Sequence, residues 1–330
     1  MRAIVITRPG GPEVLELREV PDPQPGPGKV LVRVCYSALN RADILQRQGK
    51  YPAPAGDPPD IPGLEFAGEI TGLGSGVTGW KTGDRVFGIS GGGAHAELLV
   101  ADQHAIARIP DSLSIQDAGA VPEAFITAHD ALITQAQLVA GESVLIHAVG
   151  SGVGLAALQL TRTRGATPYG TSRTPEKIEK ARAWGLEHGI VLPDVAALAE
   201  LPAFLQRIGR KSGFDVVLDL VGGPYLAASI PTLAMKGRII VLASMGGPKV
   251  ELDTRLMLSR RLTLKGTMLR SRPLVEKVAA TEAFAREVVP LLASGAVKPA
   301  IDSEFELSEI RQAHLRLESN KTIGKVLLKI

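Results

Sequence analysis

The amino-acid sequence predicts an α/β protein in which a mainly β domain is joined to a doubly wound parallel-sheet domain. Three observations carry that expectation. At 330 residues the chain exceeds the usual extent of one hydrophobic core, which favours two domains or one domain split by an insertion. Up to about Val121 it is rich in Pro and Gly, with short alternating apolar runs. From Pro122 to about Ser259, continuous apolar runs alternate with helical patterns, as expected for a parallel sheet covered on both faces.

Taken in order, the opening MRAIVITRPGGPE reads as a strand entering a turn, because no apolar run of signal-peptide length follows Arg2. Alternating runs at 30–34, 66–71, 85–89 and 96–100 suit an irregular antiparallel sheet. Between them, residues 49–63 (GKYPAPAGDPPDIPG) carry five prolines, which fix φ and remove backbone donors, so this stretch is an extended loop. Its length fits a functional loop and a surface linker equally. Strands are expected at 143–148, 167–171, 216–220 and 238–243, and helices at 155–164 and 175–184. A strand at 262–266, a helix over 274–292 and a terminal strand at 325–330 complete the chain, with no internal repeat. Residues 143–160 lack formal charge, yet His147 and three glycines in their middle favour a strand, a turn and a helix over a membrane span.

Composition narrows the function. The 37 basic and 34 acidic side chains leave only +3, without a basic stripe, and aromatics make up 4%, so nucleic acid is not an expected partner. The single cysteine, Cys35, has no internal disulfide partner, and the six histidines form no HExxH-type ligand pair. A metal-free cytoplasmic protein, with no membrane partner, is the expectation.

Residues 142–165, ESVLIHAVGSGVGLAALQLTRTRG, read as a buried strand, a Gly-rich turn and a helix. Such a turn lets a pyrophosphate approach the backbone and meet the positive end of the helix, as in a Rossmann domain. The literal GxGxxG is absent: its glycine positions hold Val149, Ser151 and Gly154. Gly150, Ser151, Gly152 and Val153 are the expected phosphate-binding residues. At the tip of the second strand, NAD enzymes place an acid for the ribose 2′-OH, whereas this chain has Ser172, then Arg173 and Lys177. A hydroxyl and two cations suit the 2′-phosphate of NADPH, the alternative being ordinary solvated charges.

The blocks RPGGPEVLEL, SALNRADILQRQGKYP, PGLEFAGEI, AVPEAFITA, HAVGSGVG, LDLVGG, LRSR and NKTIGKVLL occur in that order along the chain. It resembles the zinc-independent quinone oxidoreductases of the medium-chain dehydrogenase/reductase superfamily, the family that includes zeta-crystallin, and looks closest to their tumour-suppressor-inducible branch. The resemblance implies a GroES-like catalytic domain in two parts, 1–121 and 266–330, around a Rossmann NADPH-binding domain at 122–265. Where zinc-dependent relatives have a Cys-His pair and a Gly-His-Glu step, this chain has Asn40-Arg41 and Gly63-Leu64-Glu65, and an amide and an isobutyl group do not replace a thiolate and an imidazole.

Without a Lewis acid, the substrate must accept hydride readily, which favours quinones. By analogy, Asn40, Tyr51 and Thr127 lie near the nicotinamide or the substrate carbonyl. Tyr51 is the residue to hydrogen-bond that carbonyl, or else its phenol caps the Pro-rich loop. The resemblance also implies cofactor contacts at Ser244, Met245 and Gly246, at Leu269, Arg270 and Ser271, and at Asn320 and Lys321. Ser151 either bonds the cofactor or fills space. Leu192 stands where relatives have a tyrosine, which weakens the adenosine end of the site. Family dimers extend the Rossmann sheet across a two-fold axis, so a homodimer is implied. Two alternatives stay open: an NADPH-dependent enone or enal double-bond reductase, and a non-enzymatic nucleotide- or RNA-binding protein.

Overall fold

The computed structural model describes residues 1–330. Its contacts fall into two units, one of Met1–Ile126 with Leu269–Ile330 and one of Thr127–Met268. In chain order the strands are β1 (Arg2–Ile6), β2 (Leu15–Glu19), β3 (Lys29–Leu39), β4 (Glu65–Leu73), β5 (Arg85–Ile89), β6 (Leu98–Asp102) and β7 (Ile106–Arg108). The middle of the chain adds β8 (Ser143–Ile146), β9 (Thr167–Ser172), β10 (His188–Val191), β11 (Phe214–Asp219), β12 (Leu233–Val241) and β13 (Thr263–Gly266). The last are β14 (Ile301–Glu306) and β15 (Lys325–Lys329).

The first unit is built on the mixed sheet β14-β15-β3-β4-β5-β7, to which β6 adds by pairing with β3. Its pairs are antiparallel except β14 with β15. Alternation explains the faces: Val30, Val32 and Val34 of β3 pack with Phe66, Ile70 and Val86, while Leu39 joins Ile4, Leu15, Val326 and Leu328. The sheet therefore needs both ends of the sequence, since β15 lies directly against β3. The Pro-rich stretch runs without regular structure between the helix Arg41–Arg47 and β4. The expected helix over 274–292 is instead two, Leu274–Glu287 and Val289–Ala293. Pro290 supplies the reason, having no N–H to continue the ladder and a ring that crowds the carbonyl one turn back.

The second unit holds a six-stranded, all-parallel sheet in the order β10-β9-β8-β11-β12-β13. Continuous burial of Ser143–Ile146 and near-continuous burial of Phe214–Asp219 is what a sheet covered on both faces requires. Its core gathers Leu145, Tyr169, Phe214, Val217, Leu233 and Ile239. Strand order reverses between β8 and β11, and in open α/β sheets that reversal opens a ligand crevice at the C-terminal strand ends. The turn after β8 and the loops after β11 and β12 meet this edge. The two loops touch: Gly246 N–H donates to the Val221 carbonyl at 2.8 Å.

Gly222 permits that contact, with φ +74° and no room for a side chain, since a Cβ would lie 2.4 Å from the Ala243 carbonyl oxygen. Gly222→Ala is expected to destabilise the protein by about 1–3 kcal/mol, read as a lower urea midpoint with an unchanged denaturant slope.

Candidate active site

In the second unit, β8 is followed directly by His147, whose ring ties three elements together. Ser229 Oγ donates to the Tyr225 carbonyl at 2.7 Å, so it accepts from His147 Nε2 at 2.7 Å. His147 Nδ1 is then the acceptor for the Thr171 hydroxyl at 3.0 Å. Burial pushes this imidazole down to about 4, against the pull of the Asp219 carboxylate, so it is neutral at physiological pH. Asp219, at the end of β11, accepts the Val221 and Gly222 N–H groups on one oxygen and keeps its other oxygen buried without a partner.

The Gly-rich turn follows. Ser151 is the N-cap of the helix Gly152–Thr163, its Oγ accepting from the Gly154 N–H at 3.1 Å. Of the two roles expected for Ser151, the structure therefore adds a third, helix capping, which leaves its hydroxyl proton available to an incoming oxygen. Gly154 is required because a Cβ there would meet the Ala148 carbonyl oxygen at 2.6 Å. Val149, in place of the first fingerprint glycine, is accommodated by Gly170 on β9, where a Cβ would lie 2.8 Å from Val149 Cγ1.

The stem of Lys177 lies along Gly150: a Cβ on that glycine would sit 3.2–3.3 Å from Lys177 Cβ and Cδ. A cation from the helix Pro175–Arg182 is thereby brought to the phosphate turn. Ser172 is buried at the tip of β9, with its Oγ 3.4 Å from the Thr174 N–H, and Arg173 is exposed beside it. Ser244, Met245 and Gly246 form the exposed loop after β12. The Thr127 hydroxyl oxygen is buried and has no partner. Leu192 is fully buried in the core with Leu145 and Tyr169, so it offers nothing to an adenosine. An orphaned hydroxyl, a capped helix start free of carboxylates and a lysine beside the turn fit a nicotinamide dinucleotide.

The first unit carries a second polar cluster. Lys325 uses all three of its N–H donors, to the Leu39 carbonyl at 3.0 Å, to Asn40 Oδ1 at 2.6 Å and to Glu65 Oε1 at 2.6 Å. Asn40 Nδ2 donates to the same Glu65 oxygen at 2.9 Å, and the Glu123 N–H donates to Glu65 Oε2 at 2.9 Å. Asp43, also buried, accepts from the Asn40 and Gly63 N–H groups at 2.7 and 3.0 Å. Asn40, expected to face the nicotinamide or substrate, thus has both amide atoms bound by Lys325 and Glu65.

Arg270 is 6% exposed and clamps the Pro-rich loop, donating to the Gly91 carbonyl at 2.8 Å, the Tyr51 carbonyl at 3.2 Å and Gln46 Oε1 at 2.6 Å. Its guanidinium also lies 4.8 Å from the centre of the Tyr51 ring. The cofactor contact expected of Arg270 is at odds with a side chain turned into this clamp. Tyr51 is half-buried, and burial pushes its phenol up despite that cation. Leu269 is buried, Ser271 exposed, and Lys321 exposed beside Asn320, whose Oδ1 accepts from Arg41.

Sequence reasoning missed Glu123, Lys325, Asp43 and Gln46. For Lys325 the strand KVLLK gave little signal, since a lysine stands at each end of its apolar run and only the first is buried. The metal question turns on donor chemistry here. Leu64 is buried at 2% exposure and has no donor atom, and Glu65 is satisfied by an ammonium.

Residues 26–111 match the alcohol dehydrogenase GroES-like domain family and residues 194–328 the family described as zinc-binding dehydrogenase. A quinone oxidoreductase of Pseudomonas aeruginosa is 34% identical, over 97% of this chain and 96% of its own length. The human quinone oxidoreductase is 31% identical, over 99% and 97%. The chain belongs to the quinone oxidoreductase family of the medium-chain dehydrogenase/reductase superfamily. Its fold agrees: the native structure of mycobacterial Rv1454c complexed with NADPH matches with a TM-score of 0.87 at 28% identity, over 100% of each chain. As an oxidoreductase of this family, the protein carries an amide at Asn40 and an isobutyl group at Leu64.

Lys325→Met would leave the fully buried Glu65 carboxylate without its counter-charge. A loss of about 3–5 kcal/mol in unfolding free energy is expected by urea denaturation, and a change below about 1 kcal/mol would refute the organising role given to this pair.

Proposed function

We propose that the protein reduces quinones with NADPH and without a metal. The observation that carries this reading is the tip of β9, where Ser172 replaces the acid of NAD-preferring sites and Lys177 lies along Gly150 of the phosphate turn. A 2′-phosphate gains from the two nearby cations, whereas an acid would repel it. Gly150, Ser151, Gly152 and Val153 receive the pyrophosphate through backbone N–H groups and the start of the helix. Ser172, Arg173 and Lys177 hold the adenosine phosphate. Ser244, Met245 and Gly246 border the nicotinamide ribose, and the orphaned Thr127 hydroxyl is offered to the nicotinamide end. Within the first unit, Arg270 serves by holding the Tyr51 loop in place.

When bound, the cofactor supplies the hydride. The protein binds and orients the acceptor, excludes water and places polar hydrogens where negative charge develops. Because no donor set replaces the lost metal ligands, the acceptor must be activated in itself, which favours a quinone, as the names of the relatives do. A conjugated enone or enal makes the same demand and is the second reading.

Purified protein treated with chelator is expected to oxidise NADPH in the presence of a para-quinone, and much faster than it oxidises NADH. Lys177→Ala should raise the Michaelis constant for NADPH by about tenfold, the scale of one charge-assisted hydrogen bond, with that for NADH unchanged. Equal effects on the two cofactors would remove the 2′-phosphate role.

A homodimer completes the reading. β13 is exposed along its whole length at the edge of the parallel sheet, and the helix Thr254–Arg260 before it buries no residue. Leu258 and Leu264 are 77% and 37% exposed there, an apolar strand edge suited to a second copy of the chain. Sedimentation should report a dimer, and Leu258→Glu with Leu264→Glu should shift it to a monomer.

A further inference from the structure

The parallel sheet of the second unit has two ends, and the phosphate turn lies at only one of them. At the other, where β11 and β12 begin, a cavity of about 410 Å³ opens between the helix Leu201–Arg207 and the foot of β12. We infer that this cavity is a second ligand site, which takes an amphipathic monocarboxylate: an apolar chain or ring against its wall and a carboxylate at its cationic rim.

The floor depends on Gly213, which precedes β11 with φ +91°. A Cβ there would lie 2.6 Å from the Thr232 carbonyl oxygen and 2.6 Å from the Leu233 carbonyl carbon, so only glycine lets the two strand starts close up. The wall depends on an irregular stretch of β12. Between the pairs Phe214–Leu233 and Val216–Arg238, β12 advances five residues against two of β11, so its extra residues leave the ladder as a bulge. Met235 is carried outward on that bulge, 55% exposed, and joins Leu205, Pro231 and Leu233 in an apolar wall.

Charge defines the rim. Arg210 is occupied within its own loop, by Asp215 at 3.4 Å and the Gly213 carbonyl at 3.3 Å. Arg260 folds back from the end of the helix Thr254–Arg260, donating through Nη1 to the Pro231 and Leu233 carbonyls at 2.9 and 2.6 Å. Those acceptors are neutral, so they fix the guanidinium without cancelling its charge. Its Nε and Nη2 donors form the fork that a carboxylate meets with both oxygens. Lys211 is exposed on the same rim, and no Asp or Glu lines the cavity. An apolar wall beside two uncancelled cations repels a cation and leaves a neutral polar molecule poorly matched. An anion with an apolar body satisfies both surfaces.

The cavity falls within the size range of small-molecule sites. The six residues of β11, a length of roughly 20 Å, separate it from Asp219 and the loops of the nucleotide crevice. Occupation of one site therefore leaves the other open.

Calorimetric titration of the full chain with octanoate tests this, with 1-octanol and octylammonium as uncharged and cationic probes of equal length. Octanoate is expected to saturate one site per chain with a Kd below about 1 mM, at least about tenfold tighter than 1-octanol, and octylammonium to show no saturable binding. Lys211→Glu should weaken octanoate by at least about tenfold, and Met235→Gln should weaken it several-fold. Both residues are exposed, so both variants should melt like wild type. Equal octanoate affinity in wild type and both variants would place the ligand elsewhere and overturn the inference, as would a failure to saturate by about 10 mM. Octanoate that competes with NADPH would report the nucleotide crevice instead and overturn it too. So would binding seen only in the Leu258→Glu, Leu264→Glu double variant, because a second copy of the chain would then be the occupant.

Discussion

The buried ammonium of Lys325 is the constraint on which the first unit depends. Removing a charge from water is costly, and here the cost is met by three hydrogen bonds, to a carbonyl, an amide and the carboxylate of Glu65. Those partners come from the end of β3, the cap of the helix Arg41–Arg47 and the first residue of β4, while Lys325 itself begins β15. One lysine near the C-terminus therefore sets the mutual positions of elements from the first quarter of the chain.

The second unit reaches its geometry by compensation. Its phosphate turn has lost two of the three fingerprint glycines, yet the close approach they provide persists. Val149 fits because β9 has Gly170 across from it, and Ser151 restores order by capping the helix that the turn begins. A sheet of parallel strands with buried ends gives no slack for such substitutions, so each is matched by a change on a neighbouring element. His147 serves the same end from below the turn, locking β8 to β9 and to the helix Pro224–Ser229 through one fixed tautomer.

Much of this was legible in local pattern. The parallel strands announced themselves as apolar runs, and the extended 49–63 loop followed from its prolines. Other elements escaped for physical reasons. β10 is four residues long and includes a histidine and a glycine, which is too short and too polar for periodicity to mark. The single helix expected over 274–292 broke at Val288, where Pro290 was visible but the local pattern outweighed it. Arg270 and Asn40 were assigned to the cofactor and substrate by likeness alone, and their side chains proved to be held by Gln46, Tyr51, Lys325 and Glu65.

By itself, the sequence determined the fold class, the absence of zinc-ligand chemistry at Asn40 and Leu64, and the lack of an acid at Ser172, because each of these depends on residue identity or on spacing along one element. Tertiary structure alone decided which charges meet. Lys325 lies 285 residues from Asn40 in the chain, and Arg270 lies 224 from Gln46. Pairings at such separations leave no periodic trace, since they are selected by sheet register and by the need to satisfy every buried charge.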